Sequence, residues 1–214
     1  TYAGSYLDRE VDYNVDYSAY AEYSAYIPYY TCYSSGTLDE ATCTDPRIQY
    51  DSDDKYKTMT HELRIQNDES ERLRFIAGLF YQDAEHDYLN IWHIPTIPAA
   101  RSVNANSQLS GYPDDAYFIT DQVRNEKETA IFGEVSFDFT EKLTGTFGAR
   151  FFETDSDLKG AVGTLFSGSP LIDLSSGESG DVFKGNLSYN FTPDVLVYVT
   201  YSEGFRPGGN NRAS

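Results

Sequence analysis

The sequence is poor in basic residues and has no long apolar run. Its 214 residues include 16 Lys and Arg against 34 Asp and Glu, which gives a formal charge of −18 at pH 7. This acidic excess argues against nucleic acid as a partner, because phosphates are bound by clustered Lys and Arg. No apolar run approaches the roughly 20 residues of a membrane-spanning helix. No signal peptide is visible at the start of the sequence.

Cysteine is also scarce, with only two residues in the chain. Cys32 and Cys43 both fall in the stretch 31–54, which is rich in Ser, Gly, Thr and Asp and which we predict to be a loop. Two cysteines in one polar loop indicate a local disulfide, formed in an oxidising compartment. Two free thiols or a metal pair are the alternatives. They fit less well, because the loop has no CxxC spacing and no nearby histidine.

Motifs of catalysis and of cofactor binding are missing. The chain contains no nucleophile elbow, phosphate loop, HExxH motif or convincing catalytic dyad. We therefore predict that the protein is not an enzyme and uses no cofactor.

The sequence indicates a metal site only weakly. His86 is flanked by Glu85 and Asp87, but in a strand these neighbours point away from the histidine. Full EF-hand spacing is absent, so hydrated loop charge is the simpler interpretation of the acidic groups. We predict no metal site. The carboxylates that could bind calcium are Asp51, Asp53, Asp54, Asp114 and Asp115.

Aromatic residues are abundant, at 15% of the chain with 19 tyrosines. Tyrosine suits a lipid–water boundary, and it equally suits cross-strand pairs in any β-rich protein.

The stretch Ile131–Phe151 is the most regular part of the sequence. Its odd positions are apolar or small and its even positions are mostly polar, on either side of the short polar run Thr140–Lys142. Period two indicates a hairpin of two amphipathic strands, each about nine residues long, which is enough to cross a bilayer when tilted.

The same alternation predicts seven strands in all. Their connections alternate between long and short, beginning with a long one. In an antiparallel up-and-down meander, this order collects the short turns on one side and the long loops on the other, as in outer-membrane barrels. The predicted strands run over 2–30, 56–66, 73–88, 131–139, 143–158, 181–191 and 195–201, and the predicted long loops over 31–54, 90–124 and 160–180.

Three segments resemble the barrel of TonB-dependent outer-membrane receptors. They are T-H-E-L-R-I-Q-N at 60–67, R-L-R-F-I-A-G-L-F-Y-Q at 72–82 and, most specific, Y-V-T-Y-S-E-G-F-R-P-G-G-N-N-R at 198–212. The resemblance extends over most of the chain from about Tyr13 and is weakest in the long loops. It implies an all-β fold in which residues 1–214 form part of a transmembrane barrel of about 22 strands.

The resemblance further implies an energised importer of a scarce ligand, such as a ferric siderophore, cobalamin or a glycan, in the outer membrane of a Gram-negative cell. Its partners would be outer-membrane lipid, the small-molecule ligand, its own plug domain and the TonB complex, which contacts a region near the receptor's N-terminus. No plug domain, contact box or closing strand appears in the sequence, so we expect an internal section of the barrel.

Candidate site residues follow from the predicted faces. In a barrel, the polar face of each strand lines the lumen and would contact the plug. At the outer end, aromatic and basic residues are candidates for contact with the ligand. Tyr88 and Trp92 could instead mark an interface belt, and a lumen salt bridge is the favoured explanation of Arg206. The predicted lumen residues are Glu62, Arg64, Arg72, Arg74, Glu134 and Arg150, and the predicted ligand-facing residues are Tyr88, Trp92, His93 and Arg206.

Two alternatives remain open at this point. The chain could be a β-rich fragment built into a surface filament or assembly, since an isolated section of a barrel exposes unpaired edges. It could instead be a soluble β-sandwich that binds glycans, in which case Phe137, Phe147 and Leu187 would lie in a closed core.

Overall fold

A computed structural model of the chain describes residues 1–23, 33–34, 37–38, 45, 47–106, 109–164, 171–206 and 208–210. Its main feature is one seven-stranded antiparallel sheet. Each strand pairs with its neighbour in sequence, so the sheet is an open meander whose two outermost strands are the first and the last. The strands are β1 (Tyr2–Asp16), β4 (Gln49–Gln66), β5 (Leu73–His93), β6 (Ala116–Asp138), β7 (Leu143–Thr164), β8 (Leu171–Thr192) and β9 (Val195–Ser202).

The remaining elements are small. β2 (Tyr33–Ser34) and β3 (Thr37–Leu38) form a separate hairpin. The helices are α1 (Ser18–Tyr23), a 3-10 turn (Ala99–Arg101) and α2 (Val103–Asn106). Within the described ranges, no helix has the length and apolar character to span a membrane.

Among the described residues, no second sheet packs on the apolar face of this sheet. Phe147 is 58% exposed and Leu187 is 46% exposed, whereas a sandwich would bury both between two sheets. The sandwich alternative is therefore wrong. The predicted all-β antiparallel meander of seven strands is confirmed.

The first strand is shorter than predicted. β1 ends at Asp16, and the chain turns there into α1 instead of continuing extended to Tyr30. The Asp16 carboxylate accepts the Ser18 N–H at 2.9 Å, and the Ser18 hydroxyl accepts the Ile48 N–H at 3.1 Å. These side-chain bonds stabilise a turn that the alternation of Ala and Tyr did not reveal. The predicted disulfide residues, Cys32 and Cys43, lie outside the described residues.

The central strands are longer than predicted. β6, β7 and β8 have 23, 22 and 22 residues. The loop predicted over 160–180 is wrong, because only 165–170 separates β7 from β8. The loops predicted over 31–54 and 90–124 also lose residues to β4, β5 and β6. Gly and Ser are weak strand formers, yet 175–180 pairs along its length with β7, because pairing with a neighbour outweighs intrinsic propensity.

The connections sort to the two ends of the sheet. The strand ends joined by the short turns 67–72, 139–142 and 193–194 lie at one end, and the strand ends that flank 17–48, 94–115 and 165–170 lie at the other. At the second end α2 packs over the sheet, where Val103 is buried with Ile91, Ile119 and Ala161. A second buried group, Ile48, Ile94, Ile97 and Tyr117, closes the same end.

Candidate functional site

One face of the sheet carries a continuous apolar band close to the short turns. Pairing register aligns its side chains in rows, and Leu79, Ile131 and Phe151 of the uppermost row are 54%, 55% and 51% exposed. On the same face, the next row further from the short turns contains Glu153. In the row after that, Lys127 pairs with Asp83. We call this band the apolar belt. Its members include Leu63, Ile65, Leu73, Phe75, Leu79, Ile131, Val135, Phe147, Phe151, Leu187, Tyr189, Val197 and Val199.

The belt approaches the height of a membrane's apolar interior. Along β6 and the turn after it, the belt runs from Ile131 to Phe139, about 27 Å of strand and about 20 Å of height at the usual tilt. A transmembrane barrel has an outward apolar band about 25 Å tall. The opposite face of the same strands must then line the lumen.

The lumen face beside the belt is polar and internally paired. Arg74 binds both Asp138 oxygens, at 2.5 and 2.7 Å, and the Thr144 hydroxyl donates to Asp138 Oδ1 at 2.7 Å. Arg72 donates to the backbone carbonyl groups of Asp138 and Phe139 at 2.7 and 3.0 Å. These bonds fix the wall near the short turns.

The other predicted lumen residues lie on this same face and have partners within the sheet. Arg150 pairs with Glu128, and Arg64 pairs with Glu62 of its own strand. Glu134 accepts from Lys184 Nζ at 2.9 Å. The structure thus brings five of the six predicted residues onto one face, whereas Arg72, in the turn before β5, has its guanidinium 4.9 Å from the Phe137 ring on the belt side. Their contact with a plug stays a prediction.

Further from the short turns, the lumen face carries a row of aromatic rings that we call the aromatic wall. Ring centroids are 5.6 Å apart for Tyr13 and Tyr50, 4.6 Å for Tyr50 and Trp92, and 4.9 Å for Trp92 and Phe118. A second stack places His86 between Tyr56 at 4.1 Å and Tyr88 at 4.6 Å. The wall comprises Tyr13, Tyr50, Tyr56, His86, Tyr88, Trp92 and Phe118.

Hydrogen bonds hold the wall in place. Asp54, only 8% exposed, is 2.8 Å from His86 Nε2 and accepts the Ser52 hydroxyl at 2.6 Å. The Tyr50 hydroxyl donates to Asn90 Oδ1 at 2.9 Å. Burial, with the nearby Tyr13 hydroxyl, raises the pKa of Tyr50 to about 12, so this phenol stays protonated at physiological pH. The wall is a preformed surface of rings and polar groups, suited to contact with a small molecule.

The four predicted ligand-facing residues do not come together. Tyr88 and Trp92 belong to the aromatic wall. His93 faces the other way, with Nδ1 2.8 Å from Asp115 and Nε2 3.2 Å from Asp51. Arg206 is exposed beyond the end of β9. A role in ligand contact stays a prediction for all four.

The sequence patterns do not identify Tyr13, Tyr50, Tyr56, His86 or Phe118 as members of the wall. Tyr50 lies in a predicted loop, and the sequence marks His86 only as a weak candidate for a metal ligand. Two-residue alternation could have identified them. When the strands are continued away from the short turns, these residues lie on the same face as Tyr88 and Trp92.

The chain after β9 bends onto the lumen face. The Phe205 ring packs at a tilt against Phe152 of β7 with centroids 3.8 Å apart, and Asn210 Nδ2 donates to the Ser156 carbonyl at 2.9 Å. Arg124 donates to the Asn210 carbonyl at 3.4 Å. We call residues 203–206 and 208–210 the infolded segment. It borders a cavity of about 480 Å³ below the aromatic wall.

Comparison with known proteins explains this arrangement. The family model described as "TonB dependent receptor-like, beta-barrel" matches residues 1–214. This chain belongs to that family. The ferric yersiniabactin uptake receptor FyuA from Yersinia pestis has a similar fold, with a TM-score of 0.65 at 15% identity over 78% of this chain. The match covers 24% of FyuA, so this chain spans about a quarter of that receptor's length.

Family membership gives the two faces their surroundings. Receptors of this family lie in the outer membrane of Gram-negative cells, so the belt of this receptor section faces lipid and the aromatic wall stands above the membrane on the lumen side. The open edges at β1 and β9 are those of a section of a larger barrel.

Proposed function

We propose that this chain is part of the barrel wall of a receptor that imports a scarce ligand across the outer membrane with energy from the TonB complex. One observation carries the proposal: the same strands expose an apolar belt on one face and hold the aromatic wall on the other. A filament subunit has no need for such a belt. Ligands of the class include ferric siderophores, cobalamin and glycans.

The partners follow from the same arrangement. Outer-membrane lipid covers the belt, and the remaining barrel strands pair with the open edges of β1 and β9. The receptor's plug domain contacts the predicted lumen residues Glu62, Arg64, Arg72, Arg74, Glu134 and Arg150. The TonB complex engages the receptor through a region near its N-terminus. The role is transport, and no catalytic step is proposed.

The ligand first contacts the aromatic wall. Tyr88 and Trp92 lie on this surface, which the strands β4 to β6 hold above the level of the belt. Aromatic rings supply large contact area at low entropic cost, and Asn90 and Asp54 lie beside them for hydrogen bonding.

A growth and uptake experiment tests this function in the complete receptor. Cells that lack the receptor, or lack TonB, are expected to lose uptake of one nutrient from a panel of ferric chelates, cobalamin and oligosaccharides. Trp92→Ala is expected to reduce that uptake because it removes the ring between Tyr50 and Phe118. Tyr81→Ala, on the opposite face of the same strand, serves as the matched control and should leave uptake unchanged.

Two results would contradict the proposal. One is uptake of every nutrient at parental rates without the receptor. The other is recovery of the protein in extracellular filaments instead of the outer-membrane fraction.

A further inference from the structure

The cavity beneath the aromatic wall has a lining unlike that of the wall. Its inward-facing side chains are carboxylates, hydroxyls and two amides, those of Gln82 and Asn210, with no aromatic ring among them. At about 480 Å³ it falls within the roughly 300–1,000 Å³ typical of small-molecule sites. β5, β6, β7 and β8 form its floor, and Gly208, Gly209 and Asn210 of the infolded segment form one side.

Most of the carboxylates are already partnered by basic groups. Glu128 is bound by Arg150, whose guanidinium also lies 5.1 Å from the Phe80 ring centroid. Glu126 is 3.8 Å from Arg124. Glu178 accepts the Gly208 N–H at 3.4 Å and has no basic partner among the described residues. The two arginines offset two of the three negative charges, so the carboxylates act mainly as oriented acceptors.

The carboxylates are also spread apart. Across the described ranges, the only group of three acidic or histidine side chains whose ligand atoms lie within 4.8 Å of one another is Glu10, Asp12 and Asp53, on the opposite face. Glu126, Glu128 and Glu178 therefore do not converge on one point as the ligands of a metal ion would. Spread acceptors match a ligand that carries several separate donors.

Hydroxyl side chains complete the lining. Thr154 and Ser156 extend inward from β7, and Ser176 from β8, in register with one another and with Glu126 and Glu128. A hydroxyl donates to a carboxylate and accepts from another hydroxyl, so a polyhydroxylated ring can satisfy both kinds of group. An anionic ferric complex would meet Glu178 without a compensating charge.

We propose that this cavity binds a neutral, hydroxyl-rich ligand of the sugar class, with Glu178 and Ser176 as direct contacts. The inference rests on the proposed function and specifies the ligand chemistry of the receptor. The cavity lies between the aromatic wall and the height of the belt, so it receives the ligand after the wall.

The test uses the complete receptor, purified in detergent and applied to an array of neutral mono- to tetrasaccharides, with ferric citrate as an anionic comparison. At least one saccharide should be retained and ferric citrate should not. Ser176→Ala removes a hydroxyl, and Glu178→Gln replaces one charged acceptor oxygen by an NH2 donor, so each should weaken saccharide binding by about tenfold. Glu85→Gln, on the opposite face of the sheet, is the control and should bind normally.

Three results would overturn the inference. The first is retention of no saccharide, and the second is unchanged affinity in both cavity variants. The third is failure of maleimide to label Ser176→Cys in a ligand-free receptor lacking Cys32 and Cys43, because the plug would then fill the cavity. If any of these results is obtained and the receptor still takes up a ferric chelate in a TonB-dependent way, the inference about the cavity fails and the proposed function stands. Saccharide binding without TonB-dependent uptake would instead refute the function and keep the site.

Discussion

An arginine placed in the apolar belt should destabilise the receptor according to its depth. Val135 lies in the middle row of the belt, aligned with Phe75 and Phe147, and is 46% exposed on the lipid side. Arginine at the middle of a transmembrane barrel costs about 2–4 kcal/mol, falling to about 0–1 kcal/mol near the interfaces. Val135→Arg is therefore expected to lower the free energy of unfolding by about 2–4 kcal/mol.

Two further positions on β6 turn this into a depth series. Ile131 lies on the same face four residues away, about 13 Å along the strand and about 10 Å in depth at the usual tilt. Ile131→Arg should cost about 1 kcal/mol. Asn125 lies on that face above the belt, so Asn125→Arg should change stability by less than about 0.5 kcal/mol.

Denaturant unfolding of the complete receptor in phospholipid vesicles measures this series. The expected order of destabilisation is Val135→Arg, then Ile131→Arg, then Asn125→Arg. Ser136→Arg provides a second control, because Ser136 faces the lumen, where its hydroxyl bonds that of Thr146 at 2.8 Å. Equal costs at Val135 and Asn125 would refute the assignment of this face to lipid.

Two smaller predictions concern the strands above the belt. Gly160 has a φ of +140°, and a Cβ there would collide with the Asp121 carbonyl oxygen, so Gly160→Ala should cost at least about 1–3 kcal/mol in unfolding measurements. Gly185→Ala, where a Cβ meets nothing within 4 Å, is its control, and equal effects would contradict the reasoning. The raised pKa of Tyr50 means that its contribution to stability is complete below pH 10 and is lost as the pH rises towards 12. Unfolding midpoints between pH 9 and 12 should therefore fall less in Tyr50→Phe than in the parent, and parallel curves would contradict this.

The belt could be predicted residue by residue, because its surroundings are lipid. Lipid contacts every second side chain, so Ile131, Val135, Phe147 and Leu187 must all be apolar, and period two is written directly in the sequence. The turn at Thr140–Lys142 followed from the same pattern. The TonB-dependent receptor family was recognisable because its motifs at 60–67, 72–82 and 198–212 lie in or next to this regular part of the strands.

Above the belt, both faces of a strand can be polar, and the alternation disappears. Residues 171–180 read as a loop from their Ser and Gly content, yet they pair along β7. α1 was missed for the opposite reason, because Tyr and Ala alternate there by chance while Asp16 and Ser18 close a turn through side-chain bonds. The alternation of apolar and polar residues predicts a strand only where the two faces of that strand meet different surroundings.

The prediction of strand ends failed at residues of the aromatic wall. Tyr50 and Trp92 were assigned to long loops, where side chains are mobile and adaptable. In the structure both lie on paired strands, at positions aligned by the β4–β5 register, and their rings contact each other. A ligand that reaches this surface meets rings already held in place, so less conformational entropy is lost on binding than at a flexible loop. The long strands thus extend the rigid barrel beyond the membrane and carry the aromatic wall on its inner side.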